Sequence, residues 1–247
     1  MKRILCAALA ACVVSLLAVP VWAGEGVATA KFALHAQAWN QKGTCVQASP
    51  IDTTGGKTAT PCSQFNTAFA TDAPTDVYLV IANVDSGGIA GTTFGIQFAE
   101  AATGVGVDIV NFTLCTTGFQ FESTGWPTVP GSGNIVTWEA PGQCAEQFIG
   151  SEGQHGLVGV FYIYAYSDDF FSIREHSLIP VTTQRLALAS CANENTFFDY
   201  ETVEILGRVQ FGTGNAGCNP CIESCPIMVD VEPSTWGKIK NKYTATY

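Results

Sequence analysis

The sequence predicts an all-β protein, a disulfide-stapled β-sandwich or distorted barrel that ends in a short C-terminal helix. Three observations predict it. About eight short runs rich in β-branched and aromatic residues are separated by Gly/Pro/Asn turn signals. No stretch of the body keeps a long helical period. Eight cysteines remain once the N-terminal segment is set aside, an even count.

The first strand is expected over 28–39. Phe32, Leu34, Ala36 and Ala38 fall on one face, with Lys31, His35 and Gln37 on the other. Residues 43–61 carry Pro50, Gly55, Gly56 and Pro61 and predict a loop. Asp76 to Asn83 is apolar on both faces and predicts a central strand, and Asp85-Ser86-Gly87-Gly88 predicts a turn. Strands follow at 94–98 and 105–115. The Gly- and Pro-rich stretch 118–133 predicts loop, and 134–138 a short strand. Leu157 to Tyr166 predicts the second fully buried strand, and 178–189 and 203–211 complete the set.

Met1-Lys2-Arg3, the apolar run from Ile4 and the Val21-Trp22-Ala23 end predict a signal peptide over 1–23. Two alternatives stand beside cleavage: an uncleaved anchor, and lipidation at Cys12 within Leu9-Ala10-Ala11-Cys12. Cleavage leaves 247 − 23 = 224 residues. Beyond the signal no run is long enough to span a bilayer. Lys2 and Arg3 leave with it, so nine basic residues face 21 acidic ones, a net charge of −12. Such a surface repels phosphate backbones and argues against nucleic acid as a partner. The expected address is secreted, extracellular or at the outer cell surface, with the periplasm as an alternative. The composition divides at Gly212. A body at 24–211 precedes a cysteine-rich segment at 212–233 and a basic tail at 234–247.

The eight cysteines are Cys45, Cys62, Cys115, Cys144, Cys191, Cys218, Cys221 and Cys225. In an exported chain they predict disulfides. Local loop closure favours Cys45–Cys62 and Cys115–Cys144, leaving Cys191 for one of the last three. A metal site built on Cys218-x-x-Cys221-x-x-x-Cys225 is one ligand short, and no histidine stands nearby.

No motif assigns a catalytic residue, a metal or a cofactor. HExxH and GxSxG are both absent. His155 lies in an expected loop. Asp168 and Asp169 follow a buried strand and predict a solvated turn; paired carboxylates there are also the candidates for acid–base work on sugars. Tyr162, Tyr164 and Tyr166 share one strand face, where phenol rings either pack with their tips at a rim or stack on sugar rings. Exposed aromatics are expected at Trp126 and Trp138. Together these form the candidate ligand-binding set.

The tail carries Trp236, Gly237, Lys238, Ile239, Lys240 and Tyr243 and can be capped by Ser234 or Thr235. Such a segment suits sorting machinery or docking on a partner as well as packing on its own body. The ending Glu232-Pro233-Ser234-Thr235-Trp236-Gly237-Lys238-Ile239-Lys240-Asn241-Lys242-Tyr243 resembles that of a group of secreted bacterial proteins. Segments such as Asp76-Val77-Tyr78-Leu79-Val80 and Tyr162-Ile163-Tyr164-Ala165-Tyr166-Ser167 resemble the same group. The resemblance implies export and assigns no activity.

The expectation is therefore a non-catalytic extracellular or cell-surface protein with a binding or structural role. A glycan, a cell-surface component or a sorting factor is the candidate partner. A secreted glycan-active hydrolase and a subunit of an extracellular assembly stand as alternatives.

Overall fold

A computed structural model describes residues 29–40, 45, 49–51, 59–84, 88–99, 103–138, 146–150, 153–177, 185–191, 195–197, 204–213 and 217–227. The signal segment, Cys12, Cys144 and the tail at 234–247 lie outside the described residues.

These residues form a two-sheet β structure. The first sheet holds β1 (Lys31–Ala38), β3 (Pro74–Val84), β9 (Gly153–Ala165) and β5 (Val107–Leu114) in that order. β8 (Glu146–Gly150) takes the stretch of β9 that β5 leaves open. All of its pairings are antiparallel. The second sheet is built around β4 (Ile89–Gln97). β7 (Gly133–Thr137) pairs with one edge of β4, and β6 (Phe119–Glu122) pairs with β7. The remainder are β2 (Ala68–Phe69), β10 (Asp169–Arg174), β11 (Ala187–Ser190), β12 (Asn195–Phe197) and β13 (Arg208–Phe211). They run β12-β11-β4-β10-β13-β2.

The inner faces meet in one apolar core. Phe32, Leu34, Leu79, Ile81, Phe161 and Ile163 come from the first sheet, and Phe94, Ile96, Val136, Phe171, Val209 and Phe211 from the second; all are closed to solvent or nearly so. The period-two pattern read in β1 is the cause: Phe32, Leu34 and Ala36 point inward together. β3 and β9 are the central strands of their sheet, as their apolar character on both faces requires.

That second apolar face has its own cover. Ala33, Tyr78, Val80, Ala82, Leu157 and Val160 project from the outer face and pack with Cys45, Ile51, Ala59, Cys62 and Phe65 in a second buried cluster. Disulfides Cys45–Cys115 and Cys62–Cys221 pin this cover, and Cys218–Cys225 closes a short loop. Cys191 is oxidised as well.

These bonds correct both pairings expected from local closure, Cys45–Cys62 and Cys115–Cys144, and the pairing of Cys191 with one of the last three cysteines. Closeness in sequence loses here to the placement of Cys45 beside the end of β5, where Cys115 follows Leu114. The described part of the cysteine-rich segment is bonded to the body. Arg208 and Cys218 exchange two backbone hydrogen bonds, and Asn219 Nδ2 donates to the Cys62 carbonyl at 2.7 Å.

Two further expectations are corrected. The stretch 118–133 is not loop throughout, because it contains β6. Asp169 does not belong to a solvated turn, because it opens β10 and is buried. Among the described residues no helix is long and apolar enough to cross a membrane.

Candidate functional site

The cover occupies one half of the outer face of the first sheet. The strand register builds the other half. One row across it reads Gln37, Asp76, Tyr162, Asn111, on β1, β3, β9 and β5. In the next row Pro74 stands opposite Tyr164, which stands opposite Asp108. Trp39, just past β1, donates its backbone N–H to the Pro74 carbonyl and so lines up with that row. Tyr166 continues the tyrosine face and is held by its N–H to the Gly106 carbonyl at 2.7 Å.

The tyrosine stripe read from the sequence therefore faces outward. Phe161 and Ile163 take the inner face, as alternation demands. Trp39 is 42% and Tyr166 44% exposed, while Tyr162 and Tyr164 are half-buried. The Tyr164 and Tyr166 rings lie 4.6 Å apart, tilted. Tyr162 to Tyr166 covers four residue steps, about 13 Å of strand.

β1 and β9 flank β3 on opposite sides, about 10 Å apart. Yet the Trp39 and Tyr162 rings meet edge-to-face at 5.9 Å. They reach each other over β3, above Pro74 and Asp76. Asp76 is consequently 1% exposed, and neither of its carboxylate oxygens has a hydrogen-bond partner among the described residues. Burial pushes its carboxyl up to about 6, and the nearby Asn40 backbone amide, outside hydrogen-bond geometry, pulls the other way. Tyr78, next on the same strand face, is buried. Its phenol is pushed upward by burial and then by the Asp76 charge, and it accepts a hydrogen bond from Gln37 Nε2 at 3.4 Å.

Trp39 and Asp76 are the residues that sequence reasoning missed. A signal for both was present. Trp39 continues the outward phase of His35 and Gln37, and Asp76 is a carboxylate at the start of an otherwise apolar central strand.

The remaining candidates do not join this face. Both Asp169 oxygens accept backbone N–H groups: Oδ1 from Ala99 at 3.1 Å and Phe170 at 2.7 Å, Oδ2 from Val107 at 3.0 Å. Asp168 accepts from the Thr213 hydroxyl at 2.6 Å. Asp169 thus staples the start of β5 to β10, while its neighbour ties down the Gly212 turn. Trp126 and Trp138 are not exposed aromatics. The Trp126 ring packs among Phe94, Phe112 and Phe161 at 5.4–5.7 Å. Trp138 is buried and donates its indole N–H to the Thr116 carbonyl at 3.3 Å.

The histidines are dispersed. His155 lies within β9 rather than in a loop, buried, its Nδ1 accepting from the Asn83 backbone N–H at 3.4 Å. His35 Nδ1 accepts from the Asn66 N–H at 3.1 Å, and burial lowers this imidazole to about 4. His176 is lowered by burial, with the Arg185 charge adding to the effect. Among the described residues no cluster of His, Cys, Asp and Glu is arranged to hold a metal.

No family model matches the chain, and no curated protein does. Solved structures give remote likenesses. A cohesin module from a Clostridium perfringens family 33 glycoside hydrolase is 9% identical with a TM-score of 0.37, covering 73% of this chain and 98% of that one. The sixth cohesin of Acetivibrio cellulolyticus scaffoldin B, solved with a Cel5 dockerin, is 7% identical with a TM-score of 0.38, covering 60% and 94%. A Clostridium thermocellum type I cohesin–dockerin complex gives 9%, 0.37, 59% and 87%. At these scores none of them decides a function for the chain.

Proposed function

We propose that this chain is a non-catalytic extracellular binding protein and that the open half of its first sheet binds an extended glycan. One observation carries the reading: Trp39, Tyr162, Tyr164 and Tyr166 stand together on a sheet face that the described outer cluster leaves open, with Gln37, Asn111 and Asp108 interleaved. Ring faces stack on the C–H surfaces of sugars, and the polar side chains between them accept and donate hydrogen bonds to hydroxyls. Disulfides suit an oxidising compartment, where such polymers are met. The alternative of hydrolysis by Asp168 and Asp169 loses support, because the Asp169 oxygens already accept backbone N–H groups and Asp168 a hydroxyl.

The test is calorimetric titration of the chain with a panel of soluble oligosaccharides, repeated on Tyr164→Ala and Trp39→Ala. Binding that weakens about tenfold or more in each variant is expected. A panel without a binder, or variants that bind like the parent, would remove the reading.

A second reading, a subunit of an extracellular assembly, is favoured by a different observation. β6 is paired with β7 alone among the described residues, and its Phe119 and Phe121 are 55% and 60% exposed. Processing or docking of the tail at Trp236, Gly237, Lys238, Ile239, Lys240 and Tyr243 would belong with that reading.

A further inference from the structure

A carboxylate removed from water without a partner is costly, and folded proteins ordinarily pair it. Asp76 has no such partner among the described residues. The rings of Trp39 and Tyr162 meet above it. An aromatic roof over a bare carboxylate is complementary to an ammonium group: the ring faces attract the cation, and the carboxylate neutralises it. A neutral hydroxyl would meet the hydrogen-bonding need of Asp76 but would make little use of the rings' negative faces. Asp76 itself is closed beneath the ring pair, so an ammonium reaches it only as the Trp39 ring, which stands past the end of β1 and is partly open to solvent, swings off Tyr162. The acidic excess of the whole chain favours the approach of cations.

Resting on the glycan-binding reading and narrowing it, we infer that the open face binds a sugar polymer bearing free amino groups, with one ammonium seated between Asp76 and the Trp39–Tyr162 pair. The tyrosines give the contact with the sugar rings, and Asp76 gives the preference for the amino form over its acetylated counterpart.

The experiment titrates the full chain, and its Asp76→Asn and Tyr164→Ala variants, with oligomers of glucosamine and of N-acetylglucosamine. n-Butylammonium serves as a cation without a sugar, read by the NMR shift of the Trp39 indole N–H. The parent should bind the glucosamine oligomer about tenfold tighter. Asp76→Asn should erase that preference while still binding the acetylated oligomer, and Tyr164→Ala should weaken both. Equal affinity of the parent for the two oligomers, or a preference that survives in Asp76→Asn, overturns the inference and leaves the glycan-binding reading standing. If neither oligomer binds but n-butylammonium shifts the Trp39 signal in the parent and not in Asp76→Asn, the amino-sugar inference is overturned and only a cation site remains, while the glycan-binding reading is decided by the wider oligosaccharide panel. If neither the oligomers nor n-butylammonium bind, the inference is overturned.

Discussion

Asp76 sets the pH dependence at the scale of a single residue. Its folded value of about 6 lies above the ordinary carboxylate value of 3.8, so the folded chain keeps a proton that the unfolded chain has already released. Stability therefore falls as pH rises between those values, and the full penalty is present above about pH 6. His35 runs the other way. Its folded value of about 4 lies below 6.5, so the unfolded chain takes up a proton first as pH falls and stability drops through that window. His176, also lowered, adds in the same direction. Asp76→Asn is expected to be more stable than the parent at about pH 7.5, by about 1–3 kcal/mol after solvent screening. The advantage should vanish near pH 4, and below about pH 6 the variant should lose stability more steeply, because only the histidine slope remains. Thermal melts across that range check this; coincident curves would mean that the Asp76 charge is compensated in the fold.

Whole elements differ in how clearly the sequence announces them. β3 and β9 were legible because both faces must be apolar when a strand is covered on two sides, and β1 because its alternation matches one core face. β6 was hidden by the glycines and prolines around it, since Phe-Gln-Phe-Glu is too short for a periodicity to stand out. β10 was hidden by Asp168-Asp169, which reads as a turn until the backbone donors at Ala99, Phe170 and Val107 are seen around Asp169. Half of the candidate face was legible as a tyrosine stripe. The rest depends on cross-strand register, which places Asp76 beside Tyr162 although 86 positions separate them. β6 also carries a prediction of its own. Two outward phenylalanines on a strand paired along one edge form an adhesive element. Phe121→Lys should reduce self-association in sedimentation at high concentration and leave the melting temperature within about 2 °C, because the ring it removes is exposed. A parent that is monomeric at every concentration would end the assembly reading for this edge.

At the scale of the whole molecule, the sandwich core and the outer cluster are held by different forces. The inner core rests on apolar side chains brought together from two sheets. The outer cluster is smaller and contains Cys45 and Cys62, whose bridges reach Cys115 and Cys221 across separations of 70 and 159 residues. Cross-links over such distances restrict the unfolded chain strongly, and no sequence pattern exposes their pairing, because connectivity follows from where the strands have already been placed. Removing Cys62–Cys221 with the Cys62→Ser, Cys221→Ser double variant should cost about 2–4 kcal/mol, since the other bridges shorten the loop it closes. For a chain of this size that lowers the melting temperature by about 5–15 °C. The far-ultraviolet signal of the sheets should persist at room temperature, while limited proteolysis should open new cuts near Cys62 and near Cys221, whose shared tether is gone. Glycan binding at Tyr164 and Tyr166 should survive, because those rings lie on the half of the sheet that the outer cluster does not cover. If binding disappears together with protease resistance while the sheet signal remains, the cover and the open face act as one unit, and the bridge serves the binding face as well as stability.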